Sequence, residues 1–515
     1  MKKHNLLIGI TAILFCIVSC TKLNETVYTG LTSTESGGQA SMTALLKGAY
    51  VSMRAPYQGN DQVFALSELT SDEMIAPTRA GDWDDNGVWR TLHMHTWDAD
   101  NIHIRDAFNN LGGVVYTTTD LLRFSPSAEQ AAEARFLRAY AMFTELDFFD
   151  QVPYRDPGEP TTSDARVRKG TEALDYIISQ LTDSVINNLS SGNTITQANV
   201  YAAKMLLMKC YLNKGVIANR AAPTFDAADM NKVVSLADDI INSSKFSFSK
   251  NFFDNFAPDN ADLSKENIFT ASNVPGDNGG GLSGLWHTVM HYNQNPSGWN
   301  GWATLSDFYN KFEASDTRRG VAYPTGAKGP ANPGKRINVG FMIGQQYDLT
   351  TDEPLKDRTG LALIFTPEVS QIEIGANLEV TGIRPLKYLP DYTNGDNMDN
   401  DWVYYRYPDV LLMKAEAILR GGAGTPVEAL QLVNSIRTNR GASALISLSL
   451  DDILDERGRE LYLECTRRQD LIRFGKFLNA WQEKQADASP KTLIFPIPNQ
   501  QLAVNPNLTQ NPGYN

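Results

Sequence analysis

The last part of the chain is punctuated by helix start and stop signals, and these constrain its fold more than any other feature. Pro408 sits in a first-turn position with Asp409 beside it, and the apolar run that follows stops at Gly421-Gly422. Thr425-Pro426-Val427-Glu428 reads as a capping box with proline at the first helical position, and that helix ends near Gly441. Ser449 with Asp452 opens a third helix, which the pattern carries to Arg468 or beyond. Helix, short glycine turn, helix, each of about 13–16 residues, is the unit of a tetratricopeptide-type stack. No strict repeat consensus is present, so the stack is expected to be degenerate. Such a solenoid buries its own helix faces and supplies a scaffold, not chemistry.

The same periodicity recurs earlier. Ser127 with Gln130 forms a capping box ahead of an apolar run at Phe136, Leu137, Tyr140, Ala141, Phe143 and Phe148, and further helices are expected near 172–189, 197–213 and 226–242. Between about 250 and 400 the composition shifts to Gly, Asn, Pro and Asp, as in 274–281 and 325–336. The aromatic residues there favour ordered binding loops over disorder. The expected class is mostly α, with degenerate helix pairs and a large loop-rich ligand-binding region. The divisions read as 1–19 leader, 20–230 helical, 231–400 loop-rich and aromatic, and 401–515 helical.

The leader assigns an address. Two lysines, an apolar run from Leu6 to Val18, then Ser19 and Cys20 have the layout of a secretory signal peptide. Ile17-Val18-Ser19-Cys20 resembles a lipobox, in which the cysteine thiol takes the lipid; the alternative is an ordinary signal peptide with an incidental cysteine. No second apolar run reaches spanning length, so a lipid on Cys20 would be the only membrane anchor. Loss of Lys2 and Lys3 with the leader takes the formal charge from −13 to −15, which argues against nucleic acid or an anionic membrane face as partner. Cys210 and Cys465 are expected to be buried free thiols on apolar helical patterns, so the chain is no disulfide scaffold.

Six of the eight tryptophans fall in two windows, Trp83, Trp89 and Trp97 in one, Trp286, Trp299 and Trp302 in the other. Asp72, Arg79, Asp82 and Asp84 accompany the first window; Tyr292, Asn293, Gln294, Asn295 and Asn300 accompany the second. Flat aromatic faces beside carboxylates, amides and a guanidinium suit a sugar, whose C–H face stacks while its hydroxyls bond. Packing of a loop-rich region against the helices accounts for the same residues equally well. His287 and His291 have the spacing of metal ligands on one helix face, but Thr288 stands where a zinc protease has its glutamate and no third ligand is evident, so no metal is expected. No P-loop, dinucleotide fingerprint or nucleophile elbow is present, and no cofactor is expected. The Arg/Glu-rich run from Glu456 to Arg473 is expected to be structural, with Glu464 and Arg468 paired i to i+4.

Four separated segments carry a family resemblance. They are Arg135-Phe136-Leu137-Arg138-Ala139-Tyr140 continuing to Val152-Pro153-Tyr154; Tyr405-Arg406-Tyr407-Pro408-Asp409 through Ala417; Glu456-Arg457-Gly458-Arg459-Glu460-Leu461 with Asp470 and Arg473; and Phe495-Pro496-Ile497-Pro498 with Asn505-Pro506 and Gln510 to Tyr514. In that order, and with the lipobox, they resemble the RagB/SusD family of nutrient-uptake outer-membrane lipoproteins. The resemblance implies a SusD-like fold and a non-catalytic, cell-surface protein that lids a SusC-like TonB-dependent transporter and hands it oligosaccharide. It also leaves room for a helical scaffold that handles peptide or another non-glycan nutrient. Family ligand sites imply Asp72, Arg79 and Trp83 as contacts by motif, and Trp286, Tyr292, Trp299 and Trp302 by the character of their loop. One departure is the single acid in Thr21-Lys22-Leu23-Asn24-Glu25, where family members often carry an acidic run.

Overall fold

Helical hairpins form the frame of the computed structural model, which describes residues 39–277, 281–376 and 378–514. The leader, Cys20 and the residues just after it lie outside the described residues. Ile102–Leu121 packs against Ala128–Phe149, Val200–Leu212 against Ala227–Asn242, and Tyr407–Leu419 against Pro426–Asn439. Ala227–Asn242 also packs on Tyr407–Leu419, so hairpins from distant parts of the sequence join in one stack. The caps are those the sequence announces. Ser127 and Gln130 exchange their bonds at 3.2 and 3.0 Å, Thr425 accepts from the Glu428 N–H, and Ser449 and Asp452 form a full box. The fold is mostly helical, and among the described residues no helix is long and apolar enough to cross a membrane. Cys210 and Cys465 are both free thiols.

One expected helix is broken. The segment from Ser449 stops at Leu461, and Arg467–Arg473 begins a new helix. Between them Leu463 and Cys465 both adopt left-handed φ of 57°. The reason lies far away in sequence. The Cys465 N–H donates to Glu68 at 2.7 Å and the Leu463 N–H to Glu73 at 3.2 Å, so this stretch turns its amides toward two buried carboxyls. Burial pushes both carboxyls up, Glu68 to about 7. The break also overturns the expected pair: Glu464 bonds Lys387 and Arg406, each at 2.6 Å, while Arg468 faces Asp147 and the Leu493 carbonyl. Cys465 accordingly lies in this turn and not on a helix.

Beneath the C-terminal helices the remaining arginines and glutamates form a buried ion-pair layer. Glu460 takes Arg318 at 3.0 Å, Arg406 at 2.9 Å and Arg440 at 2.8 Å; Glu456 takes Arg318 at 2.7 Å and Arg437 at 2.8 Å. Burial alone would raise Glu456, but Arg318, Arg459 and Arg437 outweigh it and hold the carboxyl at about 2. The expected structural role of this run is what its geometry serves.

Short strand pairs stitch the loop-rich middle to the frame. Met74–Ile75 runs antiparallel to Ala303–Thr304, with Met74 opposite Thr304. Thr78–Arg79 runs parallel to Ile372–Glu373, and Asn267–Ala271 pairs with Trp402–Arg406, which leads directly into the Tyr407 helix. The first two pairings draw the two tryptophan windows and the 370s together.

Candidate functional site

The two windows merge into one aromatic run that begins in the core and ends at the surface. Trp302, 0% exposed, stacks on Phe64 at 5.9 Å and meets the ring edges of Trp89 at 5.4 Å and Trp83 at 6.2 Å. Trp83 in turn lies 6.5 Å from Trp299, whose indole is 45% exposed. His287 stacks on Trp299 at 4.7 Å with an angle of 7° between the rings, and Trp286 backs His287 at 3.6 Å. Trp89 is buried in the same body of rings, whereas Trp97 is buried apart from it, against His95 at 5.0 Å and Phe495 at 4.9 Å.

The turn that carries Trp83 is wound tightly. Ala80, Gly81, Trp83, Asp85, Asn86 and Gly87 all have left-handed φ, and for Trp83 the value is 62°. A bulky residue held there is costly and is tolerated when its surroundings fix it. Here they do: the Trp83 indole N–H donates to the Trp299 carbonyl at 3.2 Å. The Asp84 carboxylate pairs with Arg90 at 2.5 Å, and the Trp89 N–H donates to Asp85 at 2.7 Å. The ring itself rests on Gly301, where an added Cβ would stand 2.2 Å from it.

Asp72 and Arg79, expected as ligand contacts, are committed to the protein. The Asp72 carboxylate is gripped by Arg467 at 2.6 and 2.8 Å. Burial would raise its pKa, but that guanidinium holds it below the usual carboxylate range. Arg79 is buried and donates to the carbonyls of Leu378 at 2.6 Å, Thr381 at 2.8 Å and Gly301 at 3.4 Å, and to the Thr381 hydroxyl. It braces the loop beneath Trp83 instead of facing solvent. Trp286 and Trp302 are likewise buried, because their apolar rings pack inward. They support the surface ring from behind and offer it no face of their own.

The outward groups are Trp299, Trp83 and Tyr292, with Asp82 from the first window and three polar partners that the sequence reading missed, Arg358, Glu379 and Asp396. The Tyr292 hydroxyl donates to Asp82 at 3.2 Å. Burial and the Asp82 carboxylate push this phenol above its ordinary value, so it stays a donor at neutral pH. The Arg358 guanidinium lies 3.8 Å over the Tyr292 ring and is anchored to Glu379 at 2.5 Å. Asp396 accepts from His287 at 2.8 Å and orients the imidazole against Trp299. The metal-like spacing of His287 and His291 is not used on one helix face, since that helix ends at His287 and His291 turns to Glu379 at 3.0 Å. An exposed indole beside donors and acceptors of both charges holds a flat molecule with an apolar face and a polar rim. Nothing local in the sequence marked Arg358, Glu379 or Asp396; only the strand pairing and the fold-back of the 340–400 loops bring them here.

Comparison with known proteins identifies the fold. The starch-binding protein SusD of Bacteroides thetaiotaomicron is 24% identical, over 88% of this chain and 85% of its own length. A SusD superfamily protein of Parabacteroides distasonis superimposes with a TM-score of 0.71 at 19% identity, covering 94% of this chain and 100% of that one. Surface glycan-binding protein A from Bacteroides thetaiotaomicron, solved in complex with laminarihexaose, gives a TM-score of 0.65 at 19% identity, covering 92% of this chain and 99% of its own. The family model described as the SusD family matches residues 244–514, a span that takes in the 286–302 loop, the buried ion-pair layer and the C-terminal helices, and the chain belongs to that family of non-catalytic binding proteins.

Proposed function

We propose that this protein is a glycan-binding lipoprotein of the cell surface, anchored by lipid on Cys20, which lids a SusC-like TonB-dependent transporter and delivers oligosaccharide to it. The observation that carries the glycan reading is the exposed Trp299 face, flanked by Trp83 and Tyr292 and rimmed by Asp82, Arg358 and Asp396. A pyranose or furanose ring stacks its C–H face on the indole, while the carboxylates accept from its hydroxyls and Arg358 donates to them. Trp286 and Trp302 set the height of the platform, and Asp72 and Arg79 fix the loops that carry it. The related proteins named for starch binding and solved with laminarihexaose support sugar as the ligand class. Sites of this kind bind with about 4–8 kcal/mol, roughly mM to µM.

Isothermal titration against starch, laminarin and other neutral polysaccharides tests the reading. The wild-type protein is expected to bind at least one of them. Trp299→Ala is expected to lose about tenfold or more in affinity with an unchanged melting temperature, because the ring it removes is largely outside the core. Undiminished affinity in that variant sinks the platform assignment. Co-purification of the native lipoprotein with a barrel from solubilised outer membranes tests the lid role separately.

A further inference from the structure

The loop that carries Tyr292 and Trp299 also contributes Asn293, Gln294 and Asn295 to the wall of a cleft of about 320 Å³, closed on the other side by residues 334–350. That volume falls in the range of small-ligand sites. The cleft repeats the device of the platform. At Tyr292 a guanidinium lies 3.8 Å over the ring and is anchored to Glu379; at Tyr347 the Arg336 guanidinium lies 3.6 Å over the ring and is anchored to Asp352 at 2.8 Å. In both places a half-buried tyrosine is stiffened on one face by an arginine whose charge is already met by a carboxylate.

The polar wall suits hydroxyl groups. The Asn293 amide donates to the Lys356 carbonyl at 2.8 Å, and the Gln345 amide donates to Gln346 and Leu355 carbonyls at 2.7 and 3.0 Å. Both Gln345 N–H groups and one of the two on Asn293 are thus spent on backbone, which leaves the Asn293 and Gln345 carbonyl oxygens as fixed acceptors and one Asn293 N–H as a donor. Asn295 is exposed, and its amide has no hydrogen-bond partner among the described residues. Ile343, also exposed, adds an apolar face at the same wall.

The geometry points to a second saccharide subsite in this cleft, with Tyr347 as its stacking ring and Asn293, Asn295 and Gln345 as its hydroxyl contacts, so that one neutral oligosaccharide runs from Trp299 past Tyr292 to Tyr347. The inference rests on the glycan reading of the Trp299 platform and adds chain-length selectivity to it. Neutral sugar is favoured over an acidic one because both arginines are already paired with Glu379 and Asp352, and Asp348 in the lining stands against the exposed cation there, Lys335. A short chain fills the platform alone; a longer one gains the cleft.

The test is titration of the full mature chain with a disaccharide and a hexasaccharide from each of the laminari, malto and cello series. The wild type is expected to bind a hexasaccharide more tightly than the matching disaccharide. Tyr347→Ala is expected to bind the disaccharide as the wild type does and to lose about tenfold on the hexasaccharide. Asn295→Ala, at a side chain the fold does not use, is expected to lose about threefold on the hexasaccharide only. Melting curves establish that both variants are folded. If both match the wild type at both lengths while Trp299→Ala loses both ligands, the subsite is overturned and the platform stands. If the wild type binds no member of the series, the glycan reading fails and the subsite with it.

Discussion

Two stretches of this chain carry the residue types from which active sites are made, and they end in opposite places. Glu456 to Arg473 is dense in arginine and carboxylate; Trp286 to Trp302 is dense in indole, imidazole and amide. The first is consumed inside the protein. Arg457 bonds Asp409 and Asp470, each at 2.8 Å, and Arg473 grips Glu416 at 2.7 and 2.9 Å, so every charge meets another charge. The second is split, with Trp286 and Trp302 buried and Trp299 left 45% open beside groups that still have hydrogen-bonding capacity. Chemical potential in a sequence becomes a site only where the fold leaves a partner unassigned. That difference has measurable consequences, and the largest belong to the buried layer.

Glu460→Ala is expected to cost most. It strips the shared partner from Arg318, Arg406 and Arg440, three fully buried guanidiniums. Removing one side of a buried pair costs about 3–5 kcal/mol. Urea unfolding of the variant should show that loss, with binding to a disaccharide preserved in whatever fraction remains folded. A loss under about 1 kcal/mol would mean the layer is replaceable packing.

Acid probes the same layer without mutation. Glu456 and Glu416 are held at about 2, against an ordinary 4.5, because burial is outweighed in Glu456 by Arg318 and in Glu416 by Arg473. A folded-state pKa below the unfolded one contributes stability that is full above the unfolded value and lost as pH falls through the folded one. The window is therefore about pH 4.5 down to 2. Glu68 works the other way: raised to about 7, it contributes stability at low pH that is lost as pH rises from 4.5 through 7. The urea midpoint is expected to fall steeply between pH 4.5 and 2, and Glu456→Gln should flatten that fall. A midpoint that stays constant through this window would contradict the arginine-held carboxylates.

How much of this was legible in the sequence depends on how far away the deciding partner lies. The Ala128–Phe149 helix was readable because Ser127 and Gln130 cap each other three residues apart. The break after Leu461 was not, because the carboxyl that turns the Cys465 amide is Glu68, 397 positions earlier. The same distance problem governs the site. Trp299 and Trp302 are near neighbours in one loop, and rings distant in sequence, Phe64 and Trp89, make Trp302 the floor. Arg358 and Asp396 carried no local signal, since they reach the platform through loops with no periodicity. Caps and apolar spacing encode the frame locally; the site is encoded in pairings between segments.

Gly301→Ala tests that last point with the smallest perturbation. The Gly301 backbone is pinned, its carbonyl accepting from Arg79 at 3.4 Å and Arg384 at 3.2 Å, so it has little room to withdraw. The added methyl would stand 2.2 Å from the Trp83 ring, well inside any real contact. Trp83 must then shift, giving up its bond to the Trp299 carbonyl and part of its contact with Trp302 and Trp89, so the strain falls first on the platform. Stability is expected to fall by about 1–3 kcal/mol, less than for the buried layer. Affinity for a bound glycan should fall about three- to tenfold as the tilt between Trp83 and Trp299 is lost. Quenching of tryptophan fluorescence by acrylamide reads the displacement directly, and it should rise in the variant before any ligand is added. Raised quenching with unchanged affinity would place the sugar on Trp299 alone and reduce Trp83 to a packing residue.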